Sequence, residues 1–198
     1  MTNTILFYDT ETTGLPVWSE PSEGENQPHM VQLAAKLVDA DTRKVIQSID
    51  LIIRPDGWVI PAEVTEIHGI TTEHALAVGV PEALALQMLL AMWRAAAVRV
   101  GHNESFDARI IRIATKRYLT DEDEIEAWKA GAAECTGQIT KPIMQMEPRN
   151  RWGWKMPKLA EAYKHFIGED LQNAHSAMAD VDGCTAVYFA AKSQPSAA

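Results

Sequence analysis

The tripeptide Asp9-Thr10-Glu11 follows the apolar run Ile5–Tyr8 and precedes Thr12-Thr13-Gly14. Residues two apart on a strand point to the same face. If the run is a strand, Asp9 and Glu11 project side by side. Adjacent carboxylates repel unless a cation or a proton lies between them. The pair therefore reads either as a cation site or as solvated acids at a strand end. A second string is Gly101-His102-Asn103-Glu104-Ser105-Phe106-Asp107. There a buried strand passes into a helix, with Asp107 in the first turn. The helix dipole favours an acid at that position, which accounts for Asp107 alone and not for the whole string. A third is His175-Ser176-Ala177-Met178-Ala179-Asp180. On an ideal helix, residues five apart are separated by about 140° around the axis. His175 and Asp180 reach one site only if His175 lies at or before the helix start. The alternative is a surface histidine beside a solvated acid.

Elements must bring these strings together. Ile5–Asp9, Val31–Asp39 and Val45–Ile53 read as strands, the last two β-branched and joined by an Asp41-Thr42 turn. Residues 16–29 form a polar loop rich in Pro, Gly, Ser and Glu. Pro55-Asp56-Gly57 is a turn. Thr72 is expected to cap a short helix, and a longer helix spans Pro81–Ala97 with proline at its start. A fourth strand follows at Val98–His102, then a helix from Asn103 or Glu104 to Tyr118, and an acidic helix at Asp121–Lys129. A short strand is expected near Cys135, with closing helices at Lys158–Ile167 and Ala177–Lys192. Three strands, then helix and strand in alternation, predict an α/β domain with a mixed central sheet flanked by helices, its first strands forming a meander.

The 198 residues suffice for one domain with a sizeable core. The apolar runs are too short for a membrane span, and the N-terminus lacks a secretory pattern. Cys135 and Cys184 have no metal-ligand spacing and read as free thiols, which fits a reducing cytoplasm. The net charge of −9 argues against nucleic-acid binding through a broadly basic surface. It is less adverse to a protein that holds a short strand end beside carboxylates neutralised by divalent metal.

Taken in this order, Asp9, Glu11, Asp107, His175 and Asp180 resemble the DEDDh exonucleases. This is the DnaQ-like group that includes polymerase proofreading subunits and ribonuclease T. Glu66-Ile67-His68-Gly69-Ile70-Thr71 is similar to the group's HGIT segment, and Lys155-Met156-Pro157-Lys158-Leu159 to the segment before its last helix. The five-residue step from His175 to Asp180 suits the histidine subclass. Relatives often carry Asp-Thr where this chain has Cys135-Thr136. The resemblance runs from Ile5 to about Ala190. It implies a ribonuclease H-like fold, with residues 1–192 as a single exonuclease domain and residues 193–198 as a flexible tail.

The resemblance also implies a 3′–5′ exonuclease that releases nucleoside 5′-monophosphates from single-stranded or frayed ends. DNA is the favoured substrate and RNA the alternative. Two divalent cations, Mg²⁺ or Mn²⁺, about 3.5–4 Å apart would assist the cleavage, and oxygen ligands suit either ion. Asp9, Glu11 and Asp180 would hold one, Asp9 bridging to the second, with Asp107 acting partly through water. His175 would be the general base, since a free imidazole titrates near about 6.5. Thr12, Thr13, Gly14 and Leu15 would hold the terminal sugar and wedge against the last base; the plainer reading is a turn caused by Gly14. His68 either meets the terminal nucleotide or is a structural histidine before a glycine turn. Asn103 and Phe106 border the base pocket, or Phe106 is core.

Arg149–Lys155 interleaves cations with tryptophans, which either meets unpaired bases and phosphates or closes the core edge. His29, His74, His102 and His165 read as structural or solvated, and Met88–Trp93 as helix core. The 16–29 loop is expected beside the site. The partners are a nucleic-acid 3′ end and, within the family's range, a polymerase or a second copy of the chain. Two rival readings remain at this level. One is a non-catalytic nucleic-acid or polymerase-binding module, disfavoured by the complete set of acids and histidine. The other is an interaction protein whose five residues are dispersed in space.

Overall fold

The computed structural model describes residues 3–151 and 153–194. Trp152 and the end of the expected tail, residues 195–198, lie outside the described residues. Strand β1 (Thr4–Thr12) is the centre of a five-stranded sheet. It pairs antiparallel with β2 (Met30–Asp39), which pairs antiparallel with β3 (Val45–Ile52). On its other edge β1 runs parallel to β4 (Val98–Gly101), and β4 to β5 (Ala133–Cys135). The order β3-β2-β1-β4-β5 is the mixed sheet expected from the sequence.

Because both faces of β1 are covered, its side chains are apolar on both faces rather than on one. Leu6 and Tyr8 join Leu33 and Ala35 under α3 (Glu82–Arg94), α4 (Glu104–Tyr118) and α5 (Glu122–Ala130). Ile5 and Phe7 join Ala34 and Val38 under α8 (Ala177–Lys192). Trp128 of α5 is fully buried in the first layer. It meets Tyr8 edge-on at 5.7 Å and Trp93 at 5.1 Å, lies under the Arg99 guanidinium at 4.4 Å, and donates from Nε1 to Ala108 O.

The sequence reading missed two helices, α1 (Ala62–His68) and α6 (Thr136–Met144), and the hairpin β6 (Met146–Asn150)–β7 (Gly153–Lys155). Helix α1 is short, and α6 carries Pro142, which argued against a helix. Helix α3 ends at Arg94 rather than Ala97. The cap of α2 (Thr72–Val78) is Thr71, whose side chain accepts from His74 N; Thr72 Oγ1 instead accepts from Ile60 N. Helix α7 (Leu159–Ile167) and α8 lie where expected. No helix among the described residues is long and apolar enough to cross a membrane. Met88, expected as helix core, is exposed, whereas Leu89, Leu90 and Met92 are buried. In the β6–β7 hairpin Arg149 covers the Trp154 ring at 5.0 Å.

The 16–29 loop is a folded wall. Buried Gln27 donates to Val17 O and Pro21 O and accepts from Val17 N. Arg117 of α4 donates to Gln27 O and Pro28 O, and Arg109 to Glu20 O. At the loop's end Glu82 accepts from His29 Nδ1–H, Met30 N and Tyr118 OH. Burial alone would raise the Glu82 carboxyl, but these bonds hold it below its ordinary value. His29 is therefore structural, and it stacks on Trp58 at 4.6 Å. His102 is structural too. Its Nε2–H donates to Pro157 O and its Nδ1 meets Thr136 Oγ1.

Trp128→Ala is expected to cost about 3–5 kcal/mol, read as a lower urea midpoint with an unchanged slope. A loss below about 1 kcal/mol would contradict its place at the centre of this layer.

Candidate active site

Alternation along β1 sets the site. Asp9 and Glu11 continue the Ile5–Phe7 face, beneath α8, while Thr10 continues the Leu6–Tyr8 face, toward α4. Strand β4 pairs with β1 only over Ile5–Phe7, so β1 past Tyr8 has no strand partner on that edge. The buried Asp107 carboxylate fills the gap. Its Oδ1 accepts from Thr10 N at 3.0 Å and from Thr10 Oγ1 at 2.7 Å. Thr10 was not singled out in the sequence, because nothing in the chain order marks a threonine as the tether of an acid 97 residues away. Helix α4 can start this close because Gly101 has no Cβ; one built there would meet Glu104 Cα at 3.3 Å.

Asp180 arrives on the first turn of α8. The start of that helix is fixed from the sheet, where Gln32 Oε1 accepts from Ala177 N at 3.1 Å. His175 lies just before the helix, exposed, with φ at 70°. Its backbone N–H donates to Asp180 Oδ2 at 3.2 Å, closing the turn that presents the imidazole. One ligand atom each of Glu11, His175 and Asp180 lies within 4.8 Å of the other two. Asp9 and Asp107 stand outside this triple but within its field. The Asp9 carboxyl is pushed well up, by burial first and then by Asp107, Asp180 and Glu11. Burial, then Asp180 and Asp107, push Glu11 up to about 8. Burial raises Asp107 to about 7 despite the bonds from Thr10. Burial also raises Asp180, against the bond from His175 N. Among the described residues no lysine or arginine forms an ion pair with any of the four acids. All five residues singled out in the sequence are thus gathered at one end of β1.

Beside them is a cleft of about 340 Å³ lined by Thr10, Glu11, Thr12, Gly14 and Leu15 of the first segment, Val64, Ile67 and His68 of α1, and Phe106 of α4. Leu15 is 79% exposed at its rim. Phe106 both lines the cleft and packs on the core. Gly69 ends α1 in the left-handed conformation at φ 75°, which glycine adopts without cost, and this turn aims His68 into the cleft. His68 Nδ1 accepts from Ile70 N, so its proton sits on Nε2, which is buried with no acceptor among the described residues. Burial lowers the His68 pKa and favours this neutral form. Thr13 faces elsewhere: its Oγ1 accepts from His29 N and closes the base of the loop. Asn103 is exposed, in the left-handed conformation before α4, and is not among the cleft's lining residues. The contributions of Val64 and Ile67 were missed with α1; their i, i+3 spacing after Pro61 was the available signal.

Comparison with known proteins follows the same lines. The chain is similar in structure to Escherichia coli exonuclease I in complex with a dT13 oligonucleotide, at TM-score 0.74 and 24% identity over 96% of this chain and 41% of that one. A zinc-bound form of the E. coli exonuclease I–single-stranded DNA complex gives 0.76 and 23% over 97% and 41%. A product-bound exonuclease I gives 0.75 and 22% over 98% and 44%. The chain thus spans about two fifths of the length of these proteins. Their likeness establishes a ribonuclease H-like fold. A comparison with curated proteins found no match. The sequence model of the RNase_T exonuclease family matches residues 6–188, nearly the whole sheet and all the helices that carry the acids. On that match the chain belongs to the RNase_T exonuclease family.

Proposed function

We propose that this chain hydrolyses phosphodiester bonds one nucleotide at a time from the 3′ end of a single-stranded nucleic acid, with DNA favoured, in a reaction that requires divalent cations. The observation that carries this reading is the convergence of Glu11, His175 and Asp180 within 4.8 Å, with Asp9 and Asp107 in the same field. Exonuclease I bound to DNA oligonucleotides has the same fold, which supports a single DNA strand as substrate.

The donor set fits divalent cations. Among the described residues no lysine or arginine forms an ion pair with the four crowded carboxylates, and burial drives each toward its protonated form. Oxygen donors with no thiolate among them suit Mg²⁺ or Mn²⁺. Asp9, Glu11 and Asp180 would hold the metal, with Asp107 near it and tethered by Thr10. Bound cations would neutralise charge on the cleaved phosphate and lower the pKa of the attacking water. His175, on its exposed turn, takes the proton from that water. The cleft positions the terminal nucleotide, with Leu15 and Phe106 as apolar walls against the base. His68 Nε2–H donates to an oxygen of the terminal nucleotide, and Thr12 and Gly14 border its sugar. Thr13 supports the loop rather than the substrate.

Digestion of matched 5′-labelled and 3′-labelled DNA and RNA strands, with and without EDTA, tests polarity, metal need and sugar preference together. The 3′ label is expected in mononucleotide at once, and the 5′ label in a descending ladder, only with metal. Release of mononucleotide from the 5′ end would contradict the assignment. Asp9→Ala is expected to lower turnover by at least about 10²–10³ while leaving the far-ultraviolet spectrum unchanged. His175→Ala should lower it by about 10²–10⁴, with the metal-induced rise in Tm retained. Full activity in either variant would remove that residue from the chemistry.

Proton linkage gives a separate check on the acids. Their folded pKa values lie above their ordinary ones, so the metal-free folded chain binds more protons than the unfolded chain between the two. Their contribution to stability is fully present below the ordinary carboxylate range and is lost as pH rises through the folded values. In EDTA, Tm is expected to fall from about pH 5 to about pH 9, less steeply in Glu11→Gln. Mg²⁺ should raise Tm more at about pH 8 than at about pH 6, because protons compete with the metal. A Tm in EDTA that rises over this range would contradict the crowded-carboxylate account.

A further inference from the structure

A second cleft, of about 310 Å³, is lined by a neighbouring face of α4. Phe106 faces the cleft beside Leu15, whereas Ser105, Ala108 and Arg109 line the second, with Arg112 one turn on. Positions 105, 108, 109 and 112 follow the i, i+3, i+4, i+7 spacing of one helix face. Trp18 from the loop and Lys129 from α5 complete the second cleft. A helix with its side chains is about 10–12 Å across, and Trp18 is three residues from Leu15, at most about 11 Å of chain. The two clefts are near neighbours.

The second cleft combines two features. The first is an exposed aromatic face. The Trp18 indole is 63% exposed, with the Arg109 guanidinium 5.9 Å from its ring. The second is positive charge that acids compensate only in part, in a chain whose net charge is −9. Among the described residues Arg109 forms no ion pair; it donates only to the Glu20 carbonyl, and Glu23 is the acid whose charge it feels. Arg112 and Lys129 share the single carboxylate of Glu126, at 3.9 and 3.5 Å. The Nε–H groups of Arg109 and Arg112 are both buried without an acceptor. Like charges three apart on a helix destabilise it unless an anion lies between them. The other charged pair in the cleft is already neutral, since Arg99 donates to Glu104 at 2.7 Å. Arg109 anchors the loop through Glu20 O, but that bond accounts for neither the exposed Trp18 ring nor the crowding of the Arg109 and Arg112 guanidiniums. An unpaired nucleobase stacking on the ring, with its phosphate on the guanidiniums, satisfies both.

We infer that Trp18, Arg109 and Arg112 form a second nucleotide subsite that grips the substrate strand a few residues upstream of the 3′ end held beside Leu15. The inference rests on the exonuclease reading for the identity of the strand. The cleft's volume is at the lower end of small-ligand pockets, roughly 300–1,000 Å³, so it seats one nucleotide and not a duplex. It gives an acidic chain a local means of retaining a polyanion, with three cations, Arg109, Arg112 and Lys129, concentrated at one cleft.

Trp18→Ala and Arg109→Gln test this subsite without touching the acids. Binding of 5′-fluorescein dT12 is measured by anisotropy in the Asp9→Ala background with Mg²⁺, where no turnover is needed. Each substitution is expected to weaken binding about tenfold. Arg109→Gln should also make the slope of log K against log salt shallower by about 0.7. In the active background the KM for dT12 should rise about tenfold with kcat within about twofold. Hydrolysis of the p-nitrophenyl ester of thymidine 5′-monophosphate, too small to span both clefts, should be unchanged. Titration with thymidine 5′-monophosphate alone distinguishes a strand subsite from a product site. Unchanged dT12 binding in both variants overturns the inference, as does loss of mononucleotide affinity with strand affinity intact. A wild-type chain that binds dT12 through Trp18 and Arg109 yet cleaves neither substrate would sustain the subsite and refute the hydrolytic reading.

Discussion

The twofold alternation of β1 is the constraint from which the site follows. Ile5 and Phe7 are buried beneath α8 and Leu6 and Tyr8 beneath α3–α5, so the strand cannot slip by one residue without exchanging its two layers. Asp9 and Glu11 inherit the α8 side and meet Asp180. Thr10 inherits the other side and captures Asp107. A register fixed by apolar burial thus delivers acids from three separate elements to one strand end.

That arrangement has an electrostatic cost, visible in the upward displacement of all four carboxyls. The fold supports it with neutral hydrogen bonds instead of salt bridges. Thr10 holds Asp107, His175 N–H holds Asp180, and Gln32 holds the start of α8. Neutral partners fix the geometry without cancelling the charge, which leaves the acids free for cations. The cationic side chains are used elsewhere: Arg99 inside the first layer, Arg117 at the loop, and Arg109 and Arg112 at the second cleft.

The strongly patterned parts of this architecture were legible in the sequence. The period-2 strands and the alternating helices were readable because each carries its own local signal, whereas the five residues expected to do chemistry were readable only from their order together and the family resemblance, since each string alone also fits solvated side chains. Helix geometry set the condition that His175 lie at or before the start of α8 if it shares a site with Asp180, and it does lie just before that helix. Helices α1 and α6 were not legible. The first has no buried residue to set a periodicity, and the second contains an interior proline. The tether from Thr10 to Asp107 and the Glu82 hub were also hidden, since each joins positions far apart that look ordinary alone. Thr13 shows the limit of motif reading: it belongs to the segment expected at the substrate, but its hydroxyl closes a loop. Trp18 lay within a polar loop expected beside the site but was not itself singled out, and the arginines that make it meaningful are some ninety residues away.

The central claim is that the acids at the end of β1 form one cation-binding centre. Anomalous diffraction from crystals of the chain equilibrated with Mn²⁺ tests it most directly. The account predicts strong peaks bounded by Asp9, Glu11 and Asp180, lost when Asp180 is replaced by asparagine. Peaks confined to other acidic surfaces, with these carboxylates bare, would contradict it.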